Sequence, residues 1–137
     1  MNTGLLNIIC IDIHIEIVPV PFEKLSEMKE SEDSELVRQR VMNARQIQEQ
    51  RFKELDGVYC NAQMSSKQMR IFAQIDKPSS ELLKNAMQRL NLSARAYDRI
   101  IKVARTIADL DDSESIKSEH IAEAINYRNL DREGWAG

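Results

Sequence analysis

The chain has 137 residues, 42% of them apolar, enough for one domain with a hydrophobic core and some tail. A net charge of −3 argues against a free-standing nucleic-acid binder, whose footprint is normally basic, and 30% charged with 5% aromatic residues suits a helical surface. Cys10 and Cys60 lack CxxC spacing, no secretory pattern opens the chain, and no apolar run approaches the roughly 20 residues of a membrane span. A cytoplasmic protein without a membrane partner is expected.

The first patterned stretch is Ile11–Val18. Ile11, Ile13, Ile15 and Ile17 alternate with Asp12, His14 and Glu16, the period of a half-buried β-strand. Pro19 and Pro21 end it, because proline cannot donate to a ladder. No second strand follows, so this one is an orphan whose backbone groups have no partner. Residues 23–35 are acidic and serine-rich and read as a solvated linker.

Helices follow in close succession. The first is expected over residues 34–54, with Val37, Val41, Ala44 and Ile47 inward and Asp56-Gly57 closing it. A short one near 65–74 turns Met69, Phe72 and Ile75 inward. Asp76-Lys77-Pro78 reads as a breaker, with Ser79 or Ser80 capping a helix over 80–90 whose stripe is Leu82, Leu83, Ala86, Met87 and Leu90. Asn91 closes it. Ser93 then caps a helix over 94–110 with Tyr97, Ile100, Ile101, Ala104, Ile107 and Ala108 on one face. Ser118 caps a last helix over 119–127, with Ile121, Ala122 and Ile125 inward and Tyr127 and Leu130 sealing the end. The predicted fold is mostly α, a bundle of about five helices preceded by the orphan strand, with a loose tail from 131 that includes Trp135.

Few residues carry recognisable chemistry. No GxxxxGK[ST] loop exists to cradle a phosphate, and no nucleophile–base arrangement stands at local spacing. His14 and His120 have no sequence neighbours with ligand spacing, so no metal site is expected. Asp109, Asp111, Asp112 and Glu114 lack the glycine and terminal glutamate of a calcium loop and read as a solvated helix end. Arg95, Arg99, Lys102 and Arg105 fall largely outside the apolar stripe of the 94–110 helix. One reading is a cationic solvent face, partly neutralised by Asp98 and Asp109. The other starts from Arg95, which sits in the first turn against the positive end of the helix dipole, a position that suits an arginine meant to touch a phosphate.

Leu92–Leu110, followed by Ser113, Ile116, His120–Ala124 and Tyr127–Arg132, resembles the C-terminal region of the magnesium-chelatase-like AAA+ ATPases, in their competence-related bacterial branch. Upstream, Ile11–Pro21 is similar to the last strand of the ATPase core, and Arg38–Phe52 to the first lid helix. The resemblance implies a remnant of core strand plus linker over 1–33, expected to be poorly ordered, a helical lid over 34–130, and a loose tail over 131–137. It also implies that Arg95, in Ser93-Ala94-Arg95, is the sensor-2 residue that reaches the γ-phosphate of ATP held by the core, with Arg99 and Arg105 as accessory phosphate or core contacts. ATP and Mg²⁺ are the implied cofactors of a full-length relative, a ring-forming ATPase; the implied partner is an AAA+ core in cis or trans.

The sequence departs from that pattern in two places. Relatives of this type carry Gly-Pro-Leu-Leu-Asp-Arg ahead of the strand, with the arginine acting in trans; here residues 4–10 read Gly-Leu-Leu-Asn-Ile-Ile-Cys, and Cys10 stands in its place. Walker A and Walker B are absent, so the chain alone is not expected to hydrolyse ATP or to bind it tightly. Two other classes stay open on the residues: an autonomous acidic adaptor for protein partners, and a DNA-contacting module using Arg95, Arg99, Lys102 and Arg105.

Overall fold

Apolar side chains at three- and four-residue spacing become helices here, and a polar contact fixes most of their starts. The computed structural model describes residues 32–128 together with Ile13, Ile15, Ile17 and Pro19. Among these residues there are five α-helices: α1 (Ser34–Phe52), α2 (Ser66–Phe72), α3 (Lys77–Arg89), α4 (Ala94–Leu110) and α5 (Ser118–Asn126). A single 3-10 turn, Asn61–Gln63, stands between α1 and α2.

Helix α4 is central and touches α1, the 3-10 turn, α2 and α5, while α3 lies on α5. Ile100, Ile101, Ala104 and Ala108 of α4 meet Leu83 of α3 and Ile121 and Ala124 of α5 in one buried cluster. Phe52 closes the far end edge-on to Phe72, with ring centroids 5.5 Å apart. Ile75 and Ile116 form an isolated parallel bridge just ahead of α3 and α5, and Ser79 and Ser118 join their hydroxyls at 3.0 Å. The starts of these two helices are thereby held side by side.

Helix ends differ from the sequence expectation in instructive ways. Helix α3 starts at Lys77 rather than 80, because Asp76 is its N-cap and accepts from the Ser79 amide at 2.9 Å. Proline in the first turn opens a helix, since its missing N–H would have no intrahelical partner there. Helix α5 starts at Ser118, one residue early, and the Ser118 hydroxyl goes to Ser79 instead of capping. Helix α1 stops at Phe52, and Gly57 takes its left-handed φ of 76° in the turn beyond. Asn91 and Asp112 close α3 and α4 in left-handed conformation, and six-residue bonds from Leu92 to Met87 and from Ser113 to Ala108 complete both caps.

Four inward assignments change. Val37 and Val41 are exposed and only Ala44, Gln48 and Phe52 of α1 are buried, because the bundle does not reach the first turns of that helix. Tyr97 is 42% exposed. In α5 the buried set is His120, Ile121, Ala124 and Ile125, with Ala122 outside. The strand expected over 11–18 is not confirmed: Ile13, Ile15 and Ile17 are exposed and in no regular element. Its other positions, with Cys10, Leu130 and the tail, lie outside the described residues.

The Ser79 hydroxyl and amide both hydrogen-bond the Asp76 carboxyl and hold it below its usual 3.8. A depressed native value stabilises the fold above the ordinary carboxylate range, and that contribution disappears as pH falls through the native value. Asp76→Ala is therefore expected to lower urea stability near neutral pH, by a margin that shrinks below about pH 4. Urea unfolding of both forms across that range checks it; a constant margin would contradict the cap.

Candidate functional site

The α3–α4 turn is tight, and it delivers α4 with its N-terminus open. Leu92 donates to Met87 at 3.0 Å, and Ser93 caps α4 by accepting from the Ala96 amide at 3.2 Å. The amides of Ala94 and Arg95 come before the first intrahelical bond and point outward along the helix axis. Arg95 is exposed in this first turn, and its guanidinium makes no hydrogen bond or ion pair with another described residue. A free guanidinium beside open amides, at the positive end of a helix of 17 residues, offers donors and charge to an anion.

The other cations of α4 do not form a row with it. Arg99 lies one turn on and is half-buried. Lys102 donates to the Ala62 carbonyl at 2.9 Å and so holds the 3-10 turn. Arg105 is 3% exposed, which corrects the expectation of a solvent-facing residue. Its guanidinium donates to Asp109 at 3.1 Å and to the carbonyls of Glu114 at 2.9 Å and Ser113 at 2.6 Å. Burial lowers its pKa, which the adjacent Asp109 charge only partly restores; an arginine in that setting stays charged.

Asp109 is 1% exposed, not solvated as the helix-end reading has it. Both of its oxygens face donors. Arg51 of α1 binds it bidentately, with Nη1 at 2.7 Å from Oδ2, and Asn61 Nδ2 lies 2.7 Å from the same oxygen. Asn61 also accepts from Arg51 at 2.9 Å, donates to Thr106 at 3.1 Å, and gives its backbone N–H to Gln48 at 3.0 Å. One carboxylate thus ties together α1, the 3-10 turn, α4 and, through Arg105, the loop after α4. Sequence reasoning missed Arg51, Asn61 and Gln48 altogether. The available signal was the i,i+4 spacing of Arg105 and Asp109 at the edge of the apolar stripe of a strongly amphipathic helix.

Asp111, Glu119 and His120 bring their ligand atoms within 4.8 Å of one another, so the pairing of His120 with acids contradicts the absence of neighbours read from sequence. The ring nitrogens argue against a metal. His120 Nδ1 accepts from the Lys117 amide at 3.0 Å, so the neutral ring carries its proton on Nε2, which stands 3.3 Å from Asp111. A metal on Nε2 needs that nitrogen bare, and a neutral ring would then turn an Nδ1 proton against the Lys117 N–H. The group closes the start of α5 instead.

Among the described residues, no helix is long and apolar enough to cross a membrane.

Comparison with known proteins supplies the context. Residues 31–128 match the family described as magnesium chelatase, subunit ChlI C-terminal. The chain is 38% identical over 122 residues to the uncharacterized protein YifB of Escherichia coli, and 36% identical over 122 residues to the competence protein ComM of Haemophilus influenzae. A YifB protein of Salmonella typhimurium is 33% identical over the same length. Each alignment covers 88% of this chain and 23% of the relative, so the chain spans about a quarter of the length of these proteins.

Proposed function

The chain belongs to the family of magnesium chelatase subunit ChlI C-terminal domains, and on that premise we propose that it acts as the helical lid of a magnesium-chelatase-like AAA+ ATPase, with Arg95 as its nucleotide sensor. The observation that carries the reading is the contrast along α4. Lys102 and Arg105 are committed to carbonyls and to Asp109, whereas Arg95 is exposed and has no partner among the described residues, beside open amides.

The residues present fit one phosphate contact and no more. Arg95 and the first-turn amides can meet the terminal oxygens of a nucleotide, but nothing in these 137 residues cradles the other phosphates or holds Mg²⁺ through a Walker motif. The core that binds ATP and Mg²⁺, in cis or in trans, supplies that chemistry. The lid supplies a charge whose position depends on whether the γ-phosphate is there. Its rigid helices carry the resulting motion, and ring assembly belongs to the whole ATPase.

A DNA-contacting use of the same helix has less support. With Lys102 and Arg105 engaged internally, few cations of α4 are left to neutralise phosphates.

Adding this chain to a nucleotide-binding core of the same family that lacks its own lid is expected to raise ATP hydrolysis. A phosphate-release assay reads the gain, and no gain at saturating lid would contradict the proposal.

A further inference from the structure

The first ten residues of α1 run past the bundle: all of Ser34–Asn43 is exposed, and Ala44 is the first buried position. The inward stripe does not stop there, because Val37 and Val41 continue the line of Ala44 and Gln48 at helical spacing. Across from them stand Ile107 and Leu110 at the end of α4 and His120 at the start of α5. An open cavity of about 620 Å³ separates these walls. Its rim is acidic, with Asp111, Glu119 and Glu123; Arg40, the cation among the lining residues, is already paired with Glu32 at 2.8 Å.

We infer that this groove docks a basic amphipathic helix of a partner protein. The charge fixes the sign of the partner: three carboxylates line the rim, Glu32 neutralises Arg40, and Lys117, 3.6 Å from Glu119, offsets one of the three, so lysines or arginines on the incoming segment meet a net excess of acid. The walls fix its secondary structure. Helices α1, α4 and α5 bound the groove with side chains and offer no strand edge, so an extended peptide would leave its backbone unpaired, whereas a helix satisfies its own. Apolar side chains at i, i+3, i+4 and i+7 then cover Val37, Val41 and Leu110, and the basic residues beside them meet Asp111, Glu119 and Glu123. Arg95 does not line this groove, so the inference stands or falls independently of the nucleotide reading.

The test uses the full chain and two synthetic helical peptides of about 18 residues, five turns. Both carry leucine at i, i+3, i+4 and i+7; one has lysine elsewhere, the other glutamate. Fluorescence anisotropy is expected to give saturable one-to-one binding of the lysine peptide, at least tenfold tighter than the glutamate peptide. Val41→Asp, at a position already exposed, is expected to weaken the lysine peptide at least tenfold. The double variant E119K/E123K, checked for helicity by circular dichroism, reverses the order of the two peptides. Equal affinity of the unaltered chain for both peptides overturns the inference without recourse to any variant. An unchanged order in a helical E119K/E123K also overturns it. Sedimentation equilibrium supplies a further outcome: a dimer of the chain alone that Val41→Asp makes monomeric assigns the groove to a second copy, and the inference fails.

Discussion

Asp109→Ala is expected to destabilise the bundle by about 3 kcal/mol, near the lower end of the range for breaking a buried ion pair from one side. Arg51 and Arg105 would both lose their only carboxylate partner among the described residues, with the Arg105 side chain 4% exposed and that of Arg51 13%. The lower end applies because Arg105 keeps the carbonyls of Ser113 and Glu114, and Arg51 keeps Asn61 and a little water. For a domain of this size that loss corresponds to a fall in Tm of roughly 12 °C or more. Asp109→Asn is not expected to rescue, because both carboxylate oxygens are met by N–H donors and the new amide would point N–H groups at N–H groups. Thermal unfolding followed at 222 nm checks both variants. A loss under about 1 kcal/mol in either would mean that the cluster is not what joins α1 and the 3-10 turn to α4.

Arg95→Ala is expected to do the opposite: little to stability, much to activity. The side chain is exposed and without a partner among the described residues, and it opposes the dipole of its own helix, so unfolding should shift by no more than about 0.5 kcal/mol, in either direction. When this region is joined to a nucleotide-binding core, the same change is expected to remove most of the hydrolysis that the lid adds, about 100-fold for one lost electrostatic donor to the reacting phosphate. Phosphate release at saturating ATP measures it. A variant that hydrolyses as fast as its parent would leave Arg95 a surface residue.

Much of this was legible in the sequence, and most of the exceptions share a cause. The period of three to four residues and the caps at Ser93 and Asn91 located α3 and α4 because both signals are local. The position of Arg95 in a first turn follows from the same cap. What neighbouring elements cover is not local. Helix α4 is buried on a broad face, Ala96 through Asp109, because other elements surround it; two charged residues at the edge of its stripe are therefore inside rather than in water. The opposite error occurs on α1, where Val37 and Val41 keep the apolar period past the point at which the bundle ends. Periodicity reports the face a helix turns inward, but not whether anything lies there to meet it. The Asp76-Lys77-Pro78 start differs for a local reason: a proline that would stop a helix in its interior serves as an opening residue in the first turn. The likeness to the family came from the motifs of α4 and α5, and the match over residues 31–128 bears it out.

As a nucleotide sensor, Arg95 should distinguish the presence of a γ-phosphate. The most direct measurement of this is the ratio of ATP to ADP affinity in a protein that unites the core with this lid, with and without Arg95→Ala. A hydrogen bond between charged partners is worth about 1.5–3 kcal/mol, so the substitution should shrink the preference for ATP by roughly 10- to 100-fold while ADP affinity stays unchanged. An identical ratio in the two proteins would contradict the account.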